Sequence, residues 1–480
     1  MNGRRMATNE PDNYLVMNTG SLRSSSSLVQ APLVKPGWLS WGSKGVLTLT
    51  DQGLIGGSNF LTGILLARQL LPAQYGAYGL AFEIFMVVLF ASACLILEPM
   101  YVFGSSTYRD SFREYFGVVL WMQLAVAFAM AILLGGLAWL VHELGKSPDL
   151  ARALVGTMIA VPCLSLFWLA RRAYYVKLDP KTAILGSLVY FAASLGGVLI
   201  FYYLHLLSPF TAFVPMAVGA LAASPVLIGR PKPSMASRPT CPTLREVCNK
   251  HWTYGRWALA ASVACWISGN IYYVMLSSMR GLADVGALKA LLNVASPVGQ
   301  VFAALSMLAF PYAARIHHQN DAIGVERLSW RLTSLYTGGT VAYWVGFLML
   351  RHPIVHFLYA GKYSQVEDLI PLVALGSVFR IATIVQTVSL KASQYPFLSF
   401  VAFFLSDVVA CVVGVPAVWA FGLQGAIWAY VFSGATSLIA GFLLMRRIAR
   451  RVSSAQLGST FHEVSPSANS DALKSSIPIS

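Results

Sequence analysis

Lys289, Asn293, Ser296 and Gln300 recur at i, i+4, i+7 and i+11 within an otherwise apolar stretch. On a helix that spacing gathers an amine, two amides and a hydroxyl on one face. Such a face offers hydrogen bonds and one cation to a polar ligand. An ionisable group in an apolar segment usually faces a bundle interior or a wet cavity. Pro297 interrupts the backbone ladder beside the stripe and favours a bend there. A polar seam between two helices is the plain alternative. Glu83 and Glu98 lie fifteen positions apart, so on one helix their directions differ by about 60°. A desolvated carboxyl takes up a proton readily, which makes both candidates for a coupling ion. Glu83 is also a candidate partner for Lys289. Arg380 and Asp407 read as a structural ion pair, or Arg380 as a fork for phosphate oxygens. Asn59 and Asn270 are matched polar positions, each within a stripe: Gln52, Gly56, Asn59, Gly63 in one and Trp266, Asn270, Tyr273, Ser277 in the other. Glycines at such spacing equally suit close helix packing. The expected cavity set is therefore Asn59, Glu83, Asn270, Lys289, Asn293, Ser296, Gln300 and Arg380, with Glu83 and Glu98 as coupling-ion candidates.

The elements that must hold these residues are long apolar helices. Twelve spans are expected, at about 45–67, 78–103, 116–141, 152–170, 182–205, 210–229, 253–278, 285–313, 329–350, 367–390, 396–420 and 423–445. The chain repeats itself weakly at an offset of about 210. Asn59, Gly76 and Pro99 correspond to Asn270, Gly286 and Pro311, and Arg68 to Arg280. Two matched membrane halves are a common build of secondary transporters, with the path between them. The expected fold is all-α and polytopic, with two pseudo-symmetric six-helix lobes (45–229 and 253–447) around a central cavity. A cytoplasmic linker (230–252) and disordered cytoplasmic tails (1–44 and 448–480) complete it. Arg68 and Arg280 read as loop anchors and helix caps.

Composition supports this class. The 480 residues are 56% hydrophobic and 11% charged, with mean hydropathy +0.63, against about 25% charged in soluble domains. The net charge of +15 comes from 34 Lys and Arg against 19 Asp and Glu. Twenty-six of those cations fall on one side of the expected spans and six on the other. That asymmetry places both termini in the cytoplasm and removes the need for a nucleic-acid partner. Residues 1–44 show no cleavable signal peptide. The six cysteines are scattered without a CxxC pair and read as free thiols. The adjacent His317 and His318 have no further ligand near in sequence, so neither a metal nor another cofactor is expected. No G-x-x-x-x-G-K-[ST], H-E-x-x-H or G-x-S-x-G motif occurs, and no catalytic residue is expected.

The run from Asp51 to Tyr78 opens with DQG, carries SNF at Ser58–Phe60 and closes with ILLARQLLPAQYGAY. It resembles the opening of polysaccharide biosynthesis flippases, the O-antigen branch of the multidrug/oligosaccharidyl-lipid/polysaccharide exporter (MOP) superfamily. Arg68, Leu70, Pro72, Tyr75 and Gly76 fill that branch's loop of type R-x-L-x-P-x-x-Y-G. FGLQGA, from Phe421 to Ala426, is similar to its final hairpin. The resemblance covers about 45–447. It implies a V-shaped cavity lined by spans one, two, seven and eight, and lobes that rock between inward- and outward-facing states. It further implies a polyprenyl-diphosphate-linked saccharide as substrate, with Lys289 and Arg380 as the basic groups toward the diphosphate. Membrane lipids, and a glycan polymerase or glycosyltransferases, are the implied partners, at the cell inner membrane. The alternative is a proton- or sodium-coupled multidrug antiporter of the same superfamily. A membrane enzyme acting on lipid-linked sugars ranks third, because the longest outer loop, 351–366, is short.

Overall fold

The computed structural model describes residues 38–463 except 178, 229–242, 319–321 and 393–395. Among the described residues the chain is built from helices and turns alone. In chain order they are α1 (Trp38–Gln69), α2 (Pro72–Ser92), α3 (Glu98–Ser105), α4 (Phe112–Glu143), α5 (Pro148–Val176), α6 (Pro180–Tyr203) and α7 (Val214–Ile228). They continue as α8 (Leu244–Met279), α9 (Leu282–His318), α10 (Ala322–Met349), α11 (Arg351–Tyr359), α12 (Ile370–Ala392), α13 (Pro396–Val412) and α14 (Gly414–Glu463). Hydrocarbon offers no partners to a backbone N–H or C=O, so helices satisfy these groups internally. Eight described helical segments are long and apolar enough to cross a bilayer. The α10–α11 pair, bent by 81°, would make a ninth, and α7 and α13 are shorter apolar helices. With α1 the order of segments follows the twelve expected spans.

Helix starts follow local rules. Pro72, Pro148 and Pro180 occupy first helical positions, where the missing N–H costs nothing. Side chains of Ser147, Asp179 and Thr243 accept from the N–H of Leu150, Thr182 and Glu246. The turn from α8 to α9 closes on Gly281 at φ +112°, whose N–H donates to Leu276 O at 2.9 Å. Three expected boundaries need correction. The first helix starts at Trp38, inside the expected N-terminal tail, and α8 starts at Leu244, inside the expected linker. The last helix runs on from 448 to Glu463, inside the expected C-terminal tail. The Thr243 cap explains the early start of α8.

The repeat is visible in the backbone. The α1–α2 turn (Gln69 to Pro72) and the α8–α9 turn (Met279 to Leu282) stand at an offset of 210. There α2 packs directly on α9. A Cβ on Gly76 would strike Leu282 O, and a Cβ on Gly286 would strike Pro72 O. Each glycine of the repeat thus accommodates the other copy's backbone.

Arg68 and Arg280 have matching work. Arg280 Nε donates to Val418 O at 3.2 Å and Nη2 to Trp419 O at 2.6 Å. Those carbonyls end a short helical run before Gly422 (φ +58°) breaks α14. Arg68 Nε donates to Leu358 O at 2.9 Å and Nη2 to Phe357 O, carbonyls in the last turn of α11. Both guanidiniums satisfy carbonyls that a helix end leaves without partners.

Span two bends where the sequence requires it. Pro99 has no N–H, so Leu95 O loses its helical donor. A π-turn over Ala93–Leu97 joins α2 to α3 at this point. Leu95 O instead accepts from His251 Nδ1 at 3.2 Å, which leaves Nε2 to accept from the Tyr115 hydroxyl at 2.8 Å. His251 belongs to α8, so a proline in the first repeat creates a docking point for the second. Gly255 lets α8 approach, since a Cβ there would lie 2.8 Å from Cys94 O.

Candidate functional site

One cavity of about 320 Å³ lies where α1, α2, α8, α9, α12 and α14 meet. Asn59, Glu83, Asn270, Lys289, Asn293, Ser296, Gln300 and Arg380 all line it. Asn293 and Gln300 of the α9 stripe face α1, and glycines on α1 make room for them. A Cβ on Gly56 would stand 2.7 Å from Gln300 Cγ, and one on Gly63 would stand 3.0 Å from the Asn293 amide. Asn293 Nδ2 donates to Phe60 O at 3.3 Å. The glycines of the first stripe therefore serve packing, and the asparagine between them lines the opening.

Lys289 Nζ donates to Glu83 Oε1 at 2.8 Å, bridging α9 and α2. Both side chains are mostly buried. The ammonium also lies 4.2 Å from the Phe82 ring centroid and 5.7 Å from that of Tyr273, distances at which a ring face attracts a cation. Gly79, one turn before Glu83, leaves space for the Lys289 stem. Asn270 Nδ2 donates back to Trp266 O at 3.3 Å.

Arg380 does not pair with Asp407. Its Nη1 donates to Ser268 O at 3.2 Å and to Ser268 Oγ at 3.4 Å, its guanidinium abuts Gly269, and it lies 5.5 Å from the Tyr430 ring centroid. A glycine at 269 opens this position against α8, which draws the fork away from α13. Asp407 Oδ1 is buried without a hydrogen-bond partner. The charged groups of the cavity are Glu83, Lys289 and Arg380, so it carries one net positive charge. Glu98 is not among the cavity residues. It is exposed at the start of α3, with Lys391 and Arg172 as the cations in electrostatic reach.

A second polar cluster escaped the sequence reading. Asp51 on α1 is fully buried. It accepts from Arg171 and Tyr175 on α5 and from Ser187 on α6, with Arg171 Nε at 3.1 Å. No local spacing reveals this cluster, because Arg171 lies 120 positions from Asp51. The same holds for His251, whose partners Tyr115 and Leu95 O lie 136 and 156 positions away. The described cysteines are all free, and no cluster of metal-ligating side chains occurs among the described residues. His317 and His318 end α9, where their side chains lie outside the described residues.

The all-helical, multi-pass membrane fold, with a polar cavity at the junction of two repeated helix pairs, is the fold of solved transporters of the MOP superfamily. A multidrug resistance MATE family transporter of the MOP superfamily in its inward-facing conformation superposes with a TM-score of 0.69 at 15% identity, covering 85% of this chain and 99% of its own. An outward-facing conformation of such a transporter gives 0.66 at 15%, covering 85% and 95%. A MOP superfamily transporter from Pyrococcus furiosus, described by the reverse polarity of its binding pocket, gives 0.63 at 14%, covering 85% and 95%. No curated protein sequence matches the chain significantly. Within that fold class the chain belongs to the polysaccharide biosynthesis protein family, whose profile matches residues 65–368.

Proposed function

We propose that this protein is a flippase that moves a lipid-linked oligosaccharide or polysaccharide precursor across the cytoplasmic membrane by alternating access. The observation that carries the reading is the cavity itself: hydrogen-bonding amides and hydroxyls with one surplus positive charge, walled by both repeats. A sugar head group crossing hydrocarbon without partners costs several kcal/mol per polar group. Asn59, Asn270, Asn293, Ser296 and Gln300 supply partners. Arg380, whose charge no carboxylate neutralises by direct contact, offers a fork to a diphosphate. Membership of the polysaccharide biosynthesis family supports the substrate class. In this reading the two repeats, the second opening with α8 at Leu244, act as two lobes, both termini are cytoplasmic, and the lipid tail stays in the bilayer. A glycan polymerase or glycosyltransferases then act before and after transfer.

A multidrug antiporter is the second reading. It is favoured by the fold neighbours described as multidrug transporters and by the Glu83 carboxylate in the cavity. Reconstituted vesicles distinguish the two. The flippase reading expects translocation of a labelled polyprenyl-diphosphate sugar, lost in Lys289→Ala and Arg380→Gln when equal amounts of folded protein are reconstituted. Dye efflux coupled to an ion gradient, with no movement of the labelled lipid, would give the site to the antiporter reading instead.

A further inference from the structure

We propose that Asp407 is a proton-binding site that governs whether Arg380 is available to an anion in the cavity. Asp407 sits on α13, only 9% exposed, with Oδ1 buried and unpartnered. Buried carboxylates are found paired or hydrogen-bonded, because an isolated one is very costly. The neighbouring hydroxyl does not help: Ser406 Oγ donates to Ser433 O at 2.8 Å. On the helices packed on α13, Arg380 of α12 acts on Asp407, and Cys265 and Tyr272 of α8 are the titratable groups that feel its charge. Tyr430 of α14 stands beside the Arg380 guanidinium, and Lys391 of α12 acts on the same Cys265. Arg380 is the one cation acting directly on Asp407, yet it is turned toward Ser268, Gly269 and the cavity.

These observations describe two alternatives for one carboxyl. With a proton on Asp407 the group is neutral, and Arg380 stays at the cavity wall with its charge facing a ligand. When that proton leaves to solvent, the carboxylate has Arg380 as its nearest compensation. The guanidinium then swings from Ser268 toward α13, and the cavity loses its surplus charge. Only the carboxyl O–H bond forms and breaks, and the proton comes from and returns to solvent. Anion binding is thereby linked to protonation: low pH favours the ligand and high pH releases it. Linkage requires the reverse as well, so a bound anion must favour proton uptake. The inference rests on the proposed function only for the identity of the anion.

Two measurements on the purified full-length protein in lipid nanodiscs test this. The first needs no ligand: infrared difference spectra follow the C=O stretch of protonated carboxyls from pH 5 to 9. A titrating band is expected that vanishes in Asp407→Asn and persists to higher pH in Arg380→Gln, while Arg380→Lys stays near wild type. A band unchanged in Asp407→Asn, or a midpoint indifferent to Arg380→Gln, would overturn the proposal. The second uses undecaprenyl diphosphate as probe, at pH 6 and pH 8. Wild type is expected to bind about tenfold tighter at pH 6, an ordinary coupling strength. Asp407→Asn should bind tightly at both values, and Arg380→Gln weakly at both. An Asp407→Asn variant that retains the wild-type pH dependence overturns the switch. Absence of probe binding at either pH, with the infrared titration as expected, would leave the switch standing and remove the lipid-diphosphate reading.

Discussion

At the scale of residues, Glu83–Lys289 and Asp51–Arg171 are both low-exposure ion pairs, but they differ in what they join. Glu83 and Lys289 connect α2 to α9 across the repeat, beside a cavity. Asp51 and Arg171 connect α1 to α5 within the first repeat, and Tyr175 and Ser187 complete the carboxylate's hydrogen bonds. Removing one member of such a buried pair leaves an uncompensated charge and costs about 3–5 kcal/mol. Asp51→Ala is therefore expected to lower the unfolding midpoint of the detergent-solubilised protein markedly, and Asp51→Leu combined with Arg171→Met to recover much of it. An unchanged midpoint in Asp51→Ala would show that the cluster does not hold the helices together. The two pairs also mark what sequence can reveal. Lys289, Asn293, Ser296 and Gln300 announced one face because helical periodicity is local. Asp51 could not announce Arg171, because pairing across 120 positions depends on how α1 and α5 pack. The Arg380–Asp407 pairing failed for the same reason: Gly269 and Ser268, more than a hundred positions away, captured the guanidinium.

At the scale of elements, close backbone approach is set by glycine and proline. Gly76 and Gly286 lie where α2 and α9 meet, each against carbonyls of the other helix. A methyl group has no space there, and a clash with backbone cannot be relieved by turning a side chain. Gly286→Ala is expected to force α2 and α9 apart and to reduce both thermal stability and transport. Gly53→Ala, which meets nothing within 4 Å, should be neutral or slightly stabilising, since alanine is the better helix former. Equal behaviour of the two variants would refute the close-contact role of Gly286. The offset between Gly76 and Gly286 was readable in the sequence, and so was the order of the helices. Their contact was not readable, since a repeat reveals equivalence and not which surfaces meet. The π-turn before Pro99 was hidden likewise. Proline predicts a disturbed ladder, whereas the donation from His251 Nδ1 to the freed Leu95 O depends on the approach of α8.

At the scale of the whole molecule, the two repeats touch at both ends of span two. At its start, Lys362 Nζ donates to Leu70 O at 3.0 Å, Arg68 reaches the end of α11, and Tyr75 lies 6.2 Å from Tyr363, centroid to centroid. At its far end, His251 joins Tyr115 and Leu95 O, and the Tyr108 hydroxyl donates to Glu246 Oε1 at 2.8 Å. The R-x-L-x-P-x-x-Y-G loop thus acquires a physical role, since Arg68, Leu70, Tyr75 and Gly76 all contact the second repeat. Alternating access requires the contacts at one end to part while those at the other hold, and then the reverse. A covalent link at either end should therefore arrest the cycle. In a cysteine-free background, Leu70→Cys with Lys362→Cys is expected to block translocation of the labelled lipid once bridged by a bifunctional methanethiosulfonate reagent, and Tyr115→Cys with His251→Cys, bridged likewise, to block it independently. Reductant should release the bridge and return each pair to the activity of its own unbridged variant. Full activity with the Leu70–Lys362 link intact would mean that this end stays shut throughout. The path would then have to leave between other helices, and the symmetric rocking of the two repeats would fall with it.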